Sequence, residues 1–484
     1  MNANTQEPSS SPEVFYEFTR SLCPECRRVI DAKVILRDNQ VFLRKRCPDH
    51  GLFEARIYGD AGQYVAAGRF NKPGTMPLQH STDIDRGCPY DCGLCPDHGQ
   101  HICVGIIEVN TACNMACPLC FADAGAGFNL SLPEVEQILD HFVATEGHPE
   151  VVQFSGGEPT IHPRIVEMVK AAKSRDITQV MINTNGKRFA DDDRFLAQIA
   201  ELGPSLYFQF DGFDSRTYEV LRGEPDLLAV KLRALDRLAE AGLSVILVPA
   251  IERGVNLHEV GRLVEFGLSH PAVRGINFQP AFHAGRHPDH DPMNRLTIPD
   301  IVQAIAAQTN GLFLSSDFIP VPCCFPTCNA VSYAFVHDDA VLPLARLIDM
   351  EQYLDYIANR VIPDRAEVRN ALEKLWSSAA VPGTPTFGQD VLNACTACGI
   401  TGPQDFGQAG DALFMVMLQD FMDPWTFTQK NVMKCCKAIL LPNGKQIPFC
   451  AYNNVGYREE AREQLAHRKR DGRSSLVFGA GRRR

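Results

Sequence analysis

Cys113-Asn114-Met115-Ala116-Cys117-Pro118-Leu119-Cys120 sets three thiols at C-x3-C-x2-C spacing within eight residues. Three thiolates are one short of a structural zinc site and odd for a disulfide set. They suit a cubane iron–sulfur cluster that leaves one iron open to a small molecule.

Outward from this loop the chain is regular. An apolar run at 104–109 leads into it, and Ser131 opens a helix through a capping box with Glu134, striped by Val135, Ile138 and Leu139. Short apolar runs at 151–154, 179–182, 206–210, 244–248 and 275–278 alternate with helical patterns at 163–174, 192–202, 226–241 and 257–268. That alternation predicts an α/β fold with a parallel sheet. Six units, where a full barrel has about eight, predict a partial (β/α)6 barrel with its chemistry at the C-terminal strand ends. The polar motifs fall at those ends: Ser155-Gly156-Gly157-Glu158, Asn183-Thr184-Asn185-Gly186, Gln209-Phe210-Asp211-Gly212, Ala250-Ile251-Glu252 and Gln279-Pro280.

A cysteine triplet followed, one strand later, by a Gly-Gly-Glu turn resembles the radical S-adenosylmethionine (SAM) superfamily. The resemblance implies a [4Fe-4S] cluster on Cys113, Cys117 and Cys120, with SAM chelated on the open iron and cleaved to a 5′-deoxyadenosyl radical. The family carries an aromatic before the last cysteine; here that residue is Leu119, and Phe121 is the substitute ring. Gly156, Gly157 and Glu158 are then expected at the SAM amino group, the glycines admitting backbone carbonyls and the carboxylate accepting a charge-assisted hydrogen bond. Asn185, Gln209 and Asp211 are expected partners of the ribose and carboxylate, Glu252 lies in a segment similar to the family's adenine contact, and Gln279 closes the last strand. Asn185-Gly186 reads equally well as a plain turn.

Eighteen cysteines without an export signal belong in a reducing compartment, as metal ligands. Cys23-Pro24-Glu25-Cys26 and Cys47-Pro48-Asp49-His50-Gly51 flank a hairpin turned at Asp38-Asn39, which looks like a rubredoxin or zinc-ribbon knuckle for one iron or zinc. Its fourth ligand is either His50 or a more distant cysteine. Cys88, Cys92, Cys95 and Cys103 form the next group, and the pentapeptide CPDHG recurs at Cys95, so these thiols either share the first site or hold their own cluster. Past the barrel, Cys323, Cys324, Cys328, Cys395, Cys398, Cys435, Cys436 and Cys450 match one or two auxiliary [4Fe-4S] clusters.

Four regions follow: a metal-binding module at 13–103, the barrel at 104–285, an auxiliary-cluster domain at 286–457 and a basic tail at 458–484. Segment 281–294, with His283, His287 and His290, reads as a solvated lid or a metal-binding loop. Helices are expected after Thr297 and at 366–375 and 412–421, with a linker at 381–385. No apolar run nears the ~18 residues that span a bilayer, and residues 1–12 carry no signal-peptide pattern. The formal net charge of −11 argues against nucleic-acid binding. The tail holds nine Arg/Lys against four Asp/Glu, a composition for anionic headgroups or a solvated end. The expected location is cytoplasmic, with peripheral membrane contact as an option.

The run 88–120, the two Cys-Cys pairs and Lys445-Gln446-Ile447-Pro448-Phe449-Cys450-Ala451-Tyr452-Asn453 are similar to one branch, the tetraether lipid synthases and dihydropterin methyltransferases. That resemblance implies radical coupling of lipid alkyl chains as the leading activity, with methylation of a pterin-like heterocycle or modification of a peptide as alternatives. It also implies a small-molecule or lipid substrate and an electron donor such as ferredoxin or flavodoxin. An electron carrier alone has no use for the Gly-Gly-Glu turn.

Overall fold

The computed structural model describes residues 12–125, 127–288, 290–321, 323–337, 340–346 and 413–471. Cys395, Cys398, the helix expected at 366–375 and the linker at 381–385 lie outside them.

The N-terminal module is an antiparallel four-stranded meander of β1 (Val14–Leu22), β2 (Val29–Arg37), β3 (Gln40–Cys47) and β4 (Gly51–Tyr58). Asp38 and Asn39 both take positive φ, 51° and 55°, the conformation of a two-residue hairpin whose twist matches its strands. The module docks on the barrel through Arg56, which is bidentate to Asp300 at 2.8 and 2.9 Å.

All six expected barrel strands form, as β5 (Val104–Asn110), β6 (Val151–Gly156), β7 (Gln179–Thr184), β8 (Ser205–Gln209), β9 (Val245–Val248) and β11 (Val273–Pro280); the short β10 (Ala250–Ile251) pairs with β11. Each neighbouring pair in the order β5-β6-β7-β8-β9-β11 is parallel. Their outward residues, such as Ile107, Phe154, Ile182, Phe208 and Phe278, are buried under helices, so the strands read as near-continuous apolar runs. Burial of each such side chain is worth about 1.5–3 kcal/mol. The capping box of Ser131 and Glu134 starts the helix Leu132–Glu146 as expected.

The later chain completes this sheet at both edges. β12 (Asn329–His337) and β13 (Ala340–Pro343) form a hairpin, and β12 runs antiparallel to β14 (Leu413–Gln419), which lies parallel to β11. At the other edge β15 (Lys437–Leu440) lies parallel to β5, with β16 (Gln446–Pro448) antiparallel to β15. The boundary expected after residue 285 therefore falls inside one continuous sheet. The helix expected at 412–421 is corrected to strand β14: Leu-Phe-Met-Val-Met-Leu contains good helix formers, but insertion between β11 and β12 decides its conformation. Among the described residues no helix is long and apolar enough to cross a membrane.

Candidate functional site

The cysteine triplet sits on the loop leaving the C-terminal end of β5, and two neighbouring segments hold that loop. Gly157 N–H donates to the Asn110 carbonyl at 2.9 Å and Glu158 N–H to that of Ala112 at 2.8 Å. A Cβ on Gly157 would fall 2.5 Å from the Thr111 carbonyl oxygen, so only glycine lets the turn lie on the loop. From the far side, the Cys120 N–H donates to the Arg286 carbonyl at 2.7 Å and the Arg286 N–H to that of Cys120 at 3.0 Å. Burial pushes the Cys113 thiol up to about 11, assisted by Glu158 and the other two cysteines. Three partly buried thiols on one loop, braced by a glycine turn packed directly on its backbone carbonyls, fit a three-thiolate cluster that leaves one iron open to SAM.

Two residues expected at the cofactor are hydrogen-bonded by the protein itself. The Glu158 carboxylate is 1 % exposed and fully engaged: it accepts from Thr160 N–H (3.1 Å), Thr160 Oγ1 (2.7 Å), Thr184 Oγ1 (2.8 Å) and Asn185 N–H (2.7 Å). It ties the β6 turn to the β7 turn. Asp211, buried completely, accepts from Arg222 Nη2 and Nε at 2.6 and 2.7 Å and from Ala250 N–H at 3.0 Å. Both carboxylates answer local donors because their burial would otherwise be costly.

Asn185 does reach the loop, donating to Asn114 Oδ1 at 2.7 Å with Cys113 Sγ at 4.0 Å. Gln209 bonds Asp211 and accepts from the buried Lys231 at 2.6 Å. Glu252 turns towards His283, Oε2 to Nε2 3.9 Å, and burial raises its pKa. Phe121 packs its ring against Phe282 and Phe449, each with centroids 5.5 Å away.

Beside the triplet the barrel encloses a cavity of about 370 Å³. Its lining alternates along the strands, as the pleat requires. Val104, Ile106, Val151, Met181, Met415 and Met417 make an apolar part, while Gln153, Asn183, Tyr207, Asn277, Gln279 and Lys437 form a polar belt. Asn277 Nδ2 and Gln279 Nε2 donate to the Tyr207 hydroxyl at 2.6 and 2.8 Å. Asn277 Oδ1 is buried and has no hydrogen-bond partner among the described residues. Of this belt the sequence pointed to Gln279 and, within its strand-end motif, Asn183. The signal for the others was a polar residue at every second position of an otherwise apolar strand. Arg222 was also missed; it lines the cavity, pairs with Asp211 and donates to the Leu119 carbonyl at 3.4 Å.

All sixteen described cysteines are free thiols. Cys23, Cys26, Cys47 and His50 converge with ligand atoms within 4.8 Å of one another, so His50 completes the ribbon. The expectation that Cys103 joins Cys88, Cys92 and Cys95 is corrected: it groups with Cys323 and Cys436. The cause is register. Pairing of Lys437 with Val104 between β15 and β5 brings the preceding residues, Cys436 and Cys103, side by side. Cys324, Cys328, Cys435 and Cys450 wall an adjoining small cavity, and Cys88, Cys92 and Cys95 wall another with His98. The two CPDHG turns therefore serve different sites.

The solvated readings of two segments are corrected as well. His283 is buried and its ring stacks on His290. The basic tail begins inside helix Tyr457–Asp471, where Arg458 is buried against Glu108 (3.1 Å) and donates to the Phe121 carbonyl; Arg462 donates to the carbonyls of Ala122 and Asp123.

Comparison with known proteins agrees with this geometry. Residues 107–267 match the radical SAM superfamily and residues 15–59 the HMPTM N-terminal zinc ribbon domain. The chain is 30% identical over 486 residues to the 7,8-dihydro-6-hydroxymethylpterin dimethyltransferase of Methanocaldococcus jannaschii, covering 93% of this chain and 95% of that protein. It is 33% identical over 179 residues to the GTP 3′,8-cyclase of Chlorobaculum tepidum, covering 36% of this chain and 53% of the cyclase. Among solved structures, Streptococcus suis SuiB is similar with a TM-score of 0.36 and 17% identity, over 43% of this chain and 46% of SuiB. The chain belongs to the radical SAM superfamily, in the family of the zinc-ribbon-bearing dihydropterin dimethyltransferase.

Proposed function

We propose that this radical SAM enzyme transfers one-carbon groups to a pterin-like heterocycle held in the barrel cavity. The observation that carries this reading is the polar belt, above all the unpartnered Asn277 Oδ1. A fused heterocycle with ring N–H and amino donors satisfies that acceptor. An alkyl chain would leave it unpaired, at about 1–3 kcal/mol for a buried group. A volume of about 370 Å³ is at the small end of ligand pockets and suits a bicyclic ring. The pterin named for the Methanocaldococcus relative supports the same choice over alkyl coupling of lipids.

When bound, the cluster and SAM supply the 5′-deoxyadenosyl radical that takes hydrogen from an unactivated carbon. The chain's own residues do the rest. Cys113, Cys117 and Cys120 hold the cluster, and the Gly156-Gly157 backbone and Asn185 set the adjoining cradle. Tyr207, Asn277 and Gln279 orient the heterocycle by its edge. Lys437, whose ammonium is favoured by the neighbouring Cys436 despite burial, offers a positive partner to an electron-rich ring carbonyl. Leu119, Phe121, Phe282 and Phe449 close the cavity with apolar surface and exclude water from the radical. An external reductant delivers the electron.

The test is anaerobic titration of the full protein with 7,8-dihydro-6-hydroxymethylpterin, followed by SAM turnover with dithionite. With SAM in excess, so that one equivalent forms 5′-deoxyadenosine and methionine and another donates its methyl group to leave S-adenosylhomocysteine, the pterin should bind saturably, stimulate 5′-deoxyadenosine release and gain mass in one-carbon steps, and Asn277→Ala should weaken its binding about tenfold. Absence of pterin binding, with 5′-deoxyadenosine release stimulated instead by dialkyl glycerol lipids, would overturn the proposal in favour of alkyl coupling.

A further inference from the structure

We propose that His283, His290 and Asp423 bind a divalent first-row transition-metal ion at the rim of the barrel, separate from every thiol site. One ligand atom from each lies within 4.8 Å of the others. The two chain segments come from adjacent parallel strands: the histidines follow β11 and the aspartate follows β14, so both leave the sheet at its C-terminal edge. His283 is 4 % exposed and Asp423 is fully buried.

The hydrogen-bond pattern points to a cation. Nδ1 of His283 and Nε2 of His290 are both buried with no hydrogen-bond partner among the described residues. The His283 Nδ1 stands 3.7 Å from Asp423 Oδ2, too far for a hydrogen bond. Asp423 Oδ1 is committed to Trp425 N–H (2.9 Å), Thr426 N–H (3.0 Å) and the Thr426 hydroxyl (3.1 Å), which fixes the carboxylate and leaves Oδ2 facing the imidazoles with a single 3.4 Å contact from His283 N–H. On the other side of the His283 ring, Glu252 Oε2 lies 3.9 Å from Nε2, beyond hydrogen-bond reach, and adds negative charge beside the imidazole. Arg295 is committed to Asp420 at 2.5 and 3.2 Å, so it does not occupy this place. The His283 and His290 rings are parallel, 1° apart with centroids at 3.4 Å.

A plain ionic contact between histidine and aspartate explains the burial but strands two imidazole nitrogens, each at the cost of an unmade buried hydrogen bond. A metal ion satisfies both nitrogens and Oδ2 at once. Two imidazoles with one carboxylate are a nitrogen–oxygen set for Fe2+, Mn2+ or Zn2+ with open positions, unlike the thiolate sites elsewhere in the chain. The ion would also pin the loop that braces the cluster: Gly285, at φ +67 with no room for a Cβ beside the Cys120 carbonyl (2.7 Å), leads into the Arg286–Cys120 pairing.

The experiment titrates Mn2+ into the full chain, purified anaerobically with its thiol sites filled and its clusters oxidised, and reads bound ion by EPR. One Mn2+ per chain is expected, displaced by Zn2+, with imidazole nitrogen couplings in the pulsed spectrum. His290→Ala, on a half-buried loop position, and His283→Ala should each weaken binding at least about tenfold. His287→Ala, whose ring only meets the other two edge-on, should bind as the parent does. Absence of saturable Mn2+ binding, or binding that survives both His283→Ala and His290→Ala in folded protein, would overturn the assignment.

Discussion

Asp211→Ala tests a buried charge pair at the site. The wild-type carboxylate is completely buried, and the Arg222 guanidinium, with 12% of its side chain exposed, meets it through two nitrogens at 2.6 and 2.7 Å. Removing only the carboxylate strands a buried cation and also unpairs the Ala250 N–H. Breaking a buried pair from one side costs about 3–5 kcal/mol, whereas replacing both partners by apolar groups is often close to neutral. Asp211→Ala should therefore lose about 3–5 kcal/mol, and the Asp211→Ala/Arg222→Met double variant should recover a large part of it. Urea unfolding followed by circular dichroism reads both values from linear extrapolation. Because Arg222 also holds the Leu119 carbonyl between Cys117 and Cys120, iron bound per chain should fall in the single variant. A loss below about 1 kcal/mol, or strictly additive single and double variants, would refute the reasoning.

Three further outcomes follow from the same geometry. Gly157→Ala drives a methyl group into the Thr111 and Ala112 carbonyls, so cluster assembly should fail while the zinc ribbon stays loaded; iron and zinc analysis of the purified variant separates the two. Lys231 is wholly buried, and burial brings its pKa down to about 7. The unfolded chain, with a lysine pKa of about 10.4, then binds the extra proton between those values. Stability should thus rise with pH from about 7 to about 10, by up to ~1.4 kcal/mol per unit, and Lys231→Met should flatten that rise in denaturation curves taken across the range. Chelation of the ribbon metal, or Cys26→Ser, should loosen the module made by β1 to β4, since Cys23, Cys26, Cys47 and His50 join two turns that share little core. Limited proteolysis should then cut near residues 23–50 first and spare the barrel.

The amino-acid sequence by itself determined the barrel and the identity of the cluster loop, because both rest on local signals. Strand-length apolar runs at 104–109, 151–154 and 179–182 declare buried parallel strands, and three thiols within eight residues need no distant partner to be recognised. A capping box or a hairpin turn is likewise written in three or four consecutive residues, as at Ser131–Glu134 and Asp38–Asn39. Tertiary structure alone decided which residues meet across the chain. Cys103 leaves Cys88, Cys92 and Cys95 for Cys436 because β15 pairs with β5 in one register. Segment 413–419 is a strand because it fills a place between β11 and β12, against its own helical leaning. Glu158 and Asp211, which look like cofactor ligands in the sequence, are consumed by Thr184, Asn185 and Arg222, partners 11 to 27 residues away. The substrate belt is hidden for the same reason: a buried Asn277 and a buried core residue share one alternating pattern, and only closure of the barrel shows which side chain is left facing a cavity with an acceptor unspent.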